Sequence, residues 1–263
     1  MSPYRAKKRL GQNFLVDNQV AARIVKAIEP QPGDHVVEIG PGKGALTEHL
    51  INADCLVTAI EFDRDLIPLL TAKFADDKNI IIIAKDFLKI TPDELPERMK
   101  IIGNLPFNIS TAVMEKLFEF RQAIQSAVFT VQAEVAKRLT ADPKSRDYGS
   151  LTVIMAAGFD IETLFDIGAK GFRPMPAVSS SVVKLVPADR IPADFESFTS
   201  FIRGCFRQKR KTLCNSMQLG LNIPKYNCED LIKRAGCNDG VRPEQLSFDD
   251  YTRLYDLWRD IQR

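Results

Sequence analysis

Short apolar runs alternate with helical patterns through residues 35–132, and this alternation constrains the fold more than any other feature of the chain. The predicted strands are His35–Ile39, Leu56–Ile60, Asn79–Ala84, Met99–Ile102 and Gln125–Gln132. Strands that alternate with helices are typical of a parallel sheet. The four isoleucines at 80–83 favour a strand buried on both faces, which we expect at the centre of the sheet. We therefore predict an α/β fold.

The first four predicted strands all end in residues that are suited to bind a ligand. Gly40, Glu61, Asp86 and Asn104 stand at or just after successive strand ends. Ligands of open α/β sheets bind at the carboxyl ends of the strands. Four such residues at one edge are hard to produce by chance, so we predict a ligand site there.

The first strand end is a glycine-rich turn, Gly40-Pro41-Gly42-Lys43-Gly44. Its glycines let the backbone approach a ligand, and the N–H groups of the next helix point toward it. The pattern fits a dinucleotide or an adenosyl ligand. Glu61 is placed to accept both ribose hydroxyls, and Asp86 to accept an adenine amino group with Phe87 beside the ring. Without a ligand, Glu61 would be a solvated carboxylate and Asp86 a helix or turn cap.

The fourth strand end carries Asn104-Leu105-Pro106-Phe107 before a helical pattern. Pro106 fixes the backbone, which restricts the residue before it as well. The amide oxygen of Asn104 and a nearby main-chain carbonyl are suited to accept both hydrogens of a planar amine, and Phe107 offers a stacking face. The alternative is an ordinary proline-containing loop with a buried Phe.

The chain after residue 150 is predicted to close the sheet and then to leave it. Leu151–Phe159 and Ser181–Val186 are predicted as two further strands. Between them, Phe172 would either form a second stacking wall or pack into the core. Residues 187–194 indicate a linker, so we predict one domain over 1–186 and a smaller all-α domain over 187–263.

The predicted helical domain begins with a helix over about 195–217 that carries a basic stripe. The stripe consists of Arg203, Arg207, Arg210 and Lys211, with few acidic partners on the same helix. We expect it to contact RNA phosphates, the alternative being a solvated helix face.

Composition excludes some classes of protein and assigns a compartment. The net charge of +2 does not by itself indicate nucleic-acid binding, and no apolar run approaches the roughly 20 residues of a membrane helix. The five cysteines include no C-x-x-C pair, and the first ten residues lack the apolar part of a signal peptide. We expect a monomeric cytoplasmic protein with no metal site.

Taken together, the motifs closely resemble the ribosomal RNA adenine N6,N6-dimethyltransferases, and within that family the bacterial small-subunit enzymes. The resemblance covers nearly the whole chain. Its motifs are residues 11–15, 38–44, Glu61, Asp86, 104–110, 172–179, 210–212 and 242–247. Phe107 departs from the family pattern, because small-subunit enzymes commonly have Tyr there; stacking is kept, and any hydroxyl contact is lost.

The resemblance implies a Rossmann-like class I methyltransferase sheet that binds S-adenosylmethionine. The implied cofactor contacts are Asn13, Leu15, Gly40, Gly42, Glu61, Asp86 and Asn104. It also implies an RNA substrate, two adjacent adenosines in a hairpin near the 3′ end of small-subunit rRNA in the pre-30S particle. Asn104 with the carbonyl of Leu105 or Pro106 would accept the N6 hydrogens, and Phe107 and Phe172 would hold the base.

Four other functions compete with this prediction. The nearest is the antibiotic-resistance relative that dimethylates large-subunit rRNA, against which the small-subunit motifs argue. A non-catalytic rRNA-binding assembly factor is opposed by the intact ligand motifs. A DNA adenine methyltransferase usually carries Asp at the position of Asn104. A nicotinamide dehydrogenase would need a hydride-transfer site. The chain's two histidines, His35 and His49, are predicted in a strand and a helix near the glycine-rich turn, and we set this function aside.

Overall fold

The computed structural model describes residues 4–261, apart from the side chain of Lys8, and these residues fold into two compact units. Of the described residues, one unit comprises 4–136 and 160–187, and the other 137–159 and 188–261. The last crossing between them, after Pro187, lies at the start of the predicted linker. The segment 137–159 belongs to the second unit, however, so that unit is built from two stretches of chain where we expected one.

The first unit is built on a sheet that has seven strands within the described residues. The strands of this unit are β1 (Phe14–Leu15), β2 (His35–Ile39), β3 (Leu56–Glu61), β4 (Ile80–Ala84), β5 (Met99–Asn104), β6 (Ile124–Gln132), β7 (Phe159–Ile167), β8 (Phe172–Arg173) and β9 (Ser180–Pro187). The order in the large sheet is β4-β3-β2-β5-β6-β9-β7, and β1 pairs separately with β8. The first five strands in this order are parallel, and β9 is antiparallel to β6. The α/β prediction is confirmed.

The direction of winding reverses between β2 and β5. The chain passes from β2 outward through β3 to β4, and then returns to the other side of β2 to form β5. The crevice at such a reversal, beyond the carboxyl ends of the strands, is where open α/β sheets bind ligands. The glycine-rich turn after β2 and the end of β5, where Asn104 stands, flank this crevice.

The isoleucine strand β4 is at an edge of the sheet, so our prediction of a central position is wrong. Ile81 is 65% exposed, and no residue of β4 is fully buried. Four β-branched residues favour a strand at any position in a sheet. Strand order depends on contacts between distant parts of the chain, which a local run of residues does not encode.

Helices accompany the strands and cover the sheet. Those that begin in the first unit are α1 (Asn18–Ala27), α2 (Ala45–Ile51), α3 (Ile67–Lys73), α4 (Ser110–Phe120) and α5 (Ala133–Leu139). Asp17 caps α1 by accepting the amides of Gln19 and Val20, as its position predicts. The apolar face of α1 joins β2, β3 and β9 in a buried core that includes Ile24 and Val36.

The second unit is helical. Its helices are α6 (Ser150–Gly158), α7 (Phe195–Cys205), α8 (Leu213–Leu221), α9 (Lys225–Arg234) and α10 (Phe248–Ile261). Our prediction of a strand over Leu151–Phe159 is therefore wrong, because residues 150–158 form a helix. This helix is buried on nearly every side, and such a helix has no polar face to reveal its period.

The predicted helix over about 195–217 is two helices, α7 and α8, separated by residues 206–212. Thr212 begins α8 by capping the amide of Asn215, so the chain changes direction just before it. Of the predicted stripe, Arg203 lies on α7, whereas Arg207, Arg210 and Lys211 lie in the connection. All four side chains are exposed, but they do not share one helix face.

Aromatic side chains form the core of the helical unit. Tyr255 makes edge contacts with Phe198 and Phe201 at ring-centroid distances of 5.3 and 5.6 Å. The buried Tyr251 hydroxyl donates to the Pro243 carbonyl at 2.7 Å, which satisfies its polar end. Among residues 4–261, no helix is both long and apolar enough to cross a membrane.

Candidate active site

A cavity of about 270 Å³ opens at the carboxyl ends of β2, β3, β4 and β5. The predicted site residues that line it are Asn13, Leu15, Gly40, Gly42, Glu61, Asp86, Asn104, Leu105, Pro106 and Phe107. These residues lie between positions 13 and 107 in the sequence, and the fold brings them to a single site. The structure thus gathers every predicted cofactor residue and all but one of the predicted catalytic residues.

The glycine-rich turn shapes one wall of the cavity. Gly40 and Gly42 have φ of 67° and 61°, a region that other residues rarely adopt. A Cβ added to Gly40 would meet no atom within 4 Å, so the turn leaves open space at this lining residue. A Cβ added to Gly42 would lie 2.9 Å from the ring of Phe14. The turn therefore keeps its backbone bare toward the cavity and packs against Phe14.

Glu61 joins the ends of β2 and β3. Its side chain is only 5% exposed, and it accepts the amides of Gly42 at 3.1 Å and Asp63 at 2.8 Å. Burial raises its pKa above the ordinary value. A carboxylate has about four lone-pair sites, so these two bonds leave acceptor capacity for ligand hydroxyls. The solvated carboxylate that we considered as the alternative is not what the structure shows.

Glu38 is a cavity residue to which we assigned no role from the sequence. It is 1% exposed on β2 and accepts the Thr47 hydroxyl at 2.5 Å. Burial, aided by the nearby charge of Glu61, raises the pKa of Glu38 to about 7. The sequence does contain a signal for Glu38, which is a charged residue inside an apolar run. A buried carboxyl group needs a hydrogen-bond partner, so a Glu among buried neighbours indicates a special environment.

The ends of β3 and β4 add two aromatic rings and one carboxylate. Asp86 caps the short turn after β4 by accepting the amide of Leu88 at 3.0 Å with Oδ1, and it still lines the cavity. Phe87 is 4% exposed and its ring centroid is 5.6 Å from that of Phe120. Phe62, 58% exposed, also lines the cavity. We did not identify Phe62 from the sequence, although it directly follows Glu61.

The amide of Asn104 has a fixed orientation. Its Nδ2 donates to the Asn13 carbonyl at 2.8 Å. Since the NH₂ group donates there, the carbonyl oxygen Oδ1 is the atom that remains to accept a hydrogen bond from a ligand amine. The half-buried Asn104 thus presents an acceptor at the cavity.

Residues 105–109 form the turn between β5 and α4, as predicted. The amide of Leu105 donates to the Thr130 carbonyl at 3.1 Å, which extends the pairing of β5 with β6 by one bond. The carbonyl of Pro106 accepts the amide of Ile109 at 3.2 Å. Phe107 is half-buried at the cavity wall. The turn is therefore held at both ends. Phe107 is not fully buried, so the alternative of a buried Phe does not describe it.

Phe172 does not line the cavity, so the second stacking wall that we predicted is absent from this position. Its side chain is 1% exposed and belongs to the core that contains Leu15 and Ile24. The cause is the pairing of β1 with β8, in which Leu15 lies opposite Phe172. The core-packing alternative describes this residue correctly.

In the described part of the chain, no three His, Cys, Asp or Glu side chains are grouped as ligands of a metal ion would be. The polar groups of the cavity include backbone amides, the buried carboxyl groups of Glu38, Glu61 and Asp63, and the amide of Asn104. Such a set suits an organic ligand with hydroxyl and amino groups.

Comparison with known proteins agrees with this geometry. The family model described as Ribosomal RNA adenine dimethylase matches residues 4–260. The Ribosomal RNA small subunit methyltransferase A of Pseudomonas putida is 38% identical over 99% of this chain and 97% of that protein. The crystal structure of the 23S rRNA methyltransferase ErmE is 29% identical, with a TM-score of 0.70 over 93% of this chain and 99% of that one.

A second solved structure is similar in fold. The dimethyladenosine transferase from Plasmodium falciparum is 25% identical, with a TM-score of 0.80 over 92% of this chain and 95% of that one. These similarities confirm the prediction of a Rossmann-like methyltransferase sheet. Because the family model spans nearly the whole described chain and a near-full-length relative is 38% identical, the protein belongs to the ribosomal RNA adenine dimethylase family.

Proposed function

We propose that this protein uses S-adenosylmethionine to dimethylate N6 of two adjacent adenosines in the 3′-terminal hairpin of small-subunit rRNA. The observation that carries the proposal is the Asn104 amide, which the Asn13 carbonyl orients so that an acceptor oxygen is left at the cavity. We further propose that it acts in the cytoplasm on a pre-30S particle, as a step of ribosome assembly.

The cavity residues fit the proposed cofactor. Glu61 has acceptor capacity for ribose hydroxyls, and the open space at Gly40 allows a ligand to approach the backbone closely. Asp86 lines the same cavity and would accept a hydrogen bond from the adenine amino group. Asn13 and Leu15 form another part of the wall. When bound, S-adenosylmethionine supplies a methyl group on a positively charged sulfur, which is electrophilic without further activation.

The residues after β5 would prepare the target base. Adenine N6 is a weak nucleophile because its lone pair is delocalised into the ring. Oδ1 of Asn104 and one main-chain carbonyl accept the two N6 hydrogens, which favours a pyramidal nitrogen with a localised lone pair. Since the Pro106 carbonyl already accepts the amide of Ile109, we assign the second acceptor to Leu105.

Phe107 would hold the base that these acceptors orient. A base must leave its stack to enter a cavity at the end of a sheet, and stacking on an aromatic side chain offsets part of that cost. The methylated N6 carries an acidic proton, so its loss to water requires no strong base. Alignment of the two reactants then supplies most of the catalysis.

The helical unit would contribute phosphate contacts. Arg203, Arg207, Arg210 and Lys211 are exposed cations at the end of α7 and in the connection to α8. Cations in a connection can follow an irregular RNA backbone, whereas a straight helical stripe suits a regular one. We therefore retain these four residues as the proposed RNA contacts.

The main rival is methylation of large-subunit rRNA, which the similarity to the 23S rRNA methyltransferase ErmE keeps open. The relative from Pseudomonas putida, named for the small subunit, is more similar in sequence, at 38% against 29% identity. That difference favours the small subunit as substrate.

A methyl-transfer assay decides between these substrates. Unmethylated small and large ribosomal subunits are incubated separately with the protein and labelled S-adenosylmethionine, and the labelled nucleotides are mapped. We expect label on two adjacent adenosines near the 3′ end of small-subunit rRNA. Label confined to large-subunit rRNA would show that large-subunit rRNA is the substrate instead. RNA binding without label on either would favour the non-catalytic assembly factor.

A further inference from the structure

Residues before β1 form hydrogen bonds and an ion pair with a buried carboxylate, Asp63, which follows Glu61 by two positions. Asp63 is 3% exposed and lines the cavity. Its Oδ2 accepts the Tyr4 hydroxyl at 2.6 Å and Nε2 of Gln12 at 2.9 Å. Its Oδ1 accepts Nζ of Lys7 at 2.5 Å and the amide of Asp65 at 3.1 Å. Four donors therefore converge on one carboxylate.

The electrostatics of Asp63 match this arrangement. Burial alone would raise its pKa, but the hydrogen bonds from Lys7 and Tyr4 lower it to about 2. The group is thus ionised at neutral pH, and a carboxylate has lone pairs for all four donors. A neutral amide at this position would offer one acceptor oxygen and would place an NH₂ group among donors.

The segment that Asp63 holds, residues 4–12, continues directly into the site. Gln12 precedes Asn13, whose carbonyl receives the amide of Asn104. Two residues later, Leu15 is held by its pairing with Phe172. Asn13 thus lies between two attachment points, Asp63 on one side and β8 on the other.

From this chain of contacts we propose that Asp63 is a positioning residue for both halves of the site. By holding Gln12 it fixes the wall formed by residues 10–15, and through the Asn13 carbonyl it fixes the orientation of the Asn104 amide. The inference rests on the proposed function, because it assigns these two effects to cofactor binding and to methyl transfer.

The test compares Asp63→Asn with Asp65→Asn. Asp65 also forms an ion pair with Lys7, at 2.6 Å, but its side chain is 67% exposed. Its own substitution therefore removes a charge next to Lys7 and leaves the bond between Asp63 and Gln12 in place. Binding of S-adenosylhomocysteine is measured by calorimetry, and kcat and KM for S-adenosylmethionine by methyl transfer.

We expect Asp63→Asn to weaken S-adenosylhomocysteine binding at least tenfold, to raise KM and to lower kcat. Asp65→Asn should remain within about twofold of the unmodified protein in all three. Tyr4→Phe removes one donor to Asp63 from outside the cavity lining, and it should shift the same quantities in the same direction by a smaller factor. These effects should appear while the melting temperature still shows a folded protein.

Two results would overturn the positioning role. One is unchanged affinity, KM and kcat in a folded Asp63→Asn protein or, if that variant does not fold, in Tyr4→Phe. The other is a fall in kcat alone, in proportion to the fraction of folded protein, which a merely structural residue would produce. If the unmodified protein itself does not bind S-adenosylhomocysteine, the proposed function fails, and that failure is distinct from either result.

Discussion

In the proposed reaction, the amide of Asn104 has two roles that belong to different atoms of one group. Its nitrogen donates to the Asn13 carbonyl, and its oxygen is the atom that we propose as acceptor for the substrate amine. A carboxylate at this position would lose the bond to the Asn13 carbonyl, because it has no donor, and a hydroxyl would be too short to reach both partners. The contact with Asn13 therefore favours Asn in this protein.

Asn104→Ala should lower kcat for methyl transfer by about a hundredfold or more, the usual effect of removing an oriented polar group from an active site. The affinity for S-adenosylhomocysteine should change by about threefold at most, because the other residues that we propose to bind the cofactor remain. Asn52→Ala, at the exposed C-terminus of α2, serves as the control for loss of an Asn. Turnover by Asn104→Ala at the level of this control would exclude the proposed role.

Glu38 predicts a pH dependence of stability. Its pKa is about 7 in the folded protein against an ordinary value of 4.5, so the folded state holds a proton that the unfolded chain releases. The stabilisation is complete below pH 4.5 and is lost as the pH rises through about 7, by about 3 kcal/mol in total. When the pH is raised from 5 to 8, the free energy of unfolding should therefore fall less for Glu38→Gln than for the unmodified protein.

Urea denaturation at both pH values measures this difference. Glu48→Gln, an exposed position on α2, is the matched control and should keep the pH dependence of the unmodified protein. Parallel curves for Glu38→Gln and the unmodified protein would show that Glu38 is ionised in the fold.

At the scale of elements, the cations in the connection from α7 to α8 should determine part of the salt dependence of RNA binding. Arg207→Ala with Arg210→Ala removes two exposed cations from this connection. If both contact phosphates of single-stranded RNA, the slope of log K against log salt should fall in magnitude by about 1.4. Lys233→Ala with Arg234→Ala removes the same charge from the last turn of α9 and should leave the slope nearly unchanged. Equal slopes for the two double variants would exclude a local RNA contact.

The crossing of α7 and α8 makes a prediction about stability. A Cβ at Gly220 would lie 2.2 Å from the carbonyl oxygen of Gly204, so the two helix backbones are in direct contact. Gly220→Ala gains about 1 kcal/mol of helix propensity but overpacks this contact at a typical cost of about 2 kcal/mol, so we expect a net loss of about 1 kcal/mol. Gly168→Ala, where an added Cβ meets nothing within 4 Å, should be neutral in the same urea titration.

The elements show which parts of the fold a sequence encodes locally. The ends of β2, β3 and β5 were predictable because glycine, proline and a single polar residue interrupt apolar runs there. The helix at 150–158 was not, because burial on every side removes the pattern that separates helix from strand. The edge position of β4 and the burial of Phe172 depend on pairing with distant strands. The residues that line the cavity were thus predicted more completely than the order of the strands, since they stand at local signals.

For the whole molecule, ligand binding should couple to stability. S-adenosylhomocysteine at a hundred times its Kd should stabilise the folded state by about 2.7 kcal/mol, which raises the melting temperature by several degrees. Far-UV circular dichroism follows both units, whereas the emission of Trp258, the only tryptophan, follows the helical unit. The absence of any shift in the dichroism transition would contradict a cofactor site in the first unit.

The discontinuous second unit has a consequence for biosynthesis. The apolar helix α6 contacts α7 and α10, both of which follow it in the chain, and α10 ends at Ile261. Until the ribosome has translated residues 248–261, α6 lacks α10, one of the two later helices that it contacts. A nascent chain stalled before Phe248 would therefore expose apolar surface on α6, and chaperones and proteases act on chains with such surface.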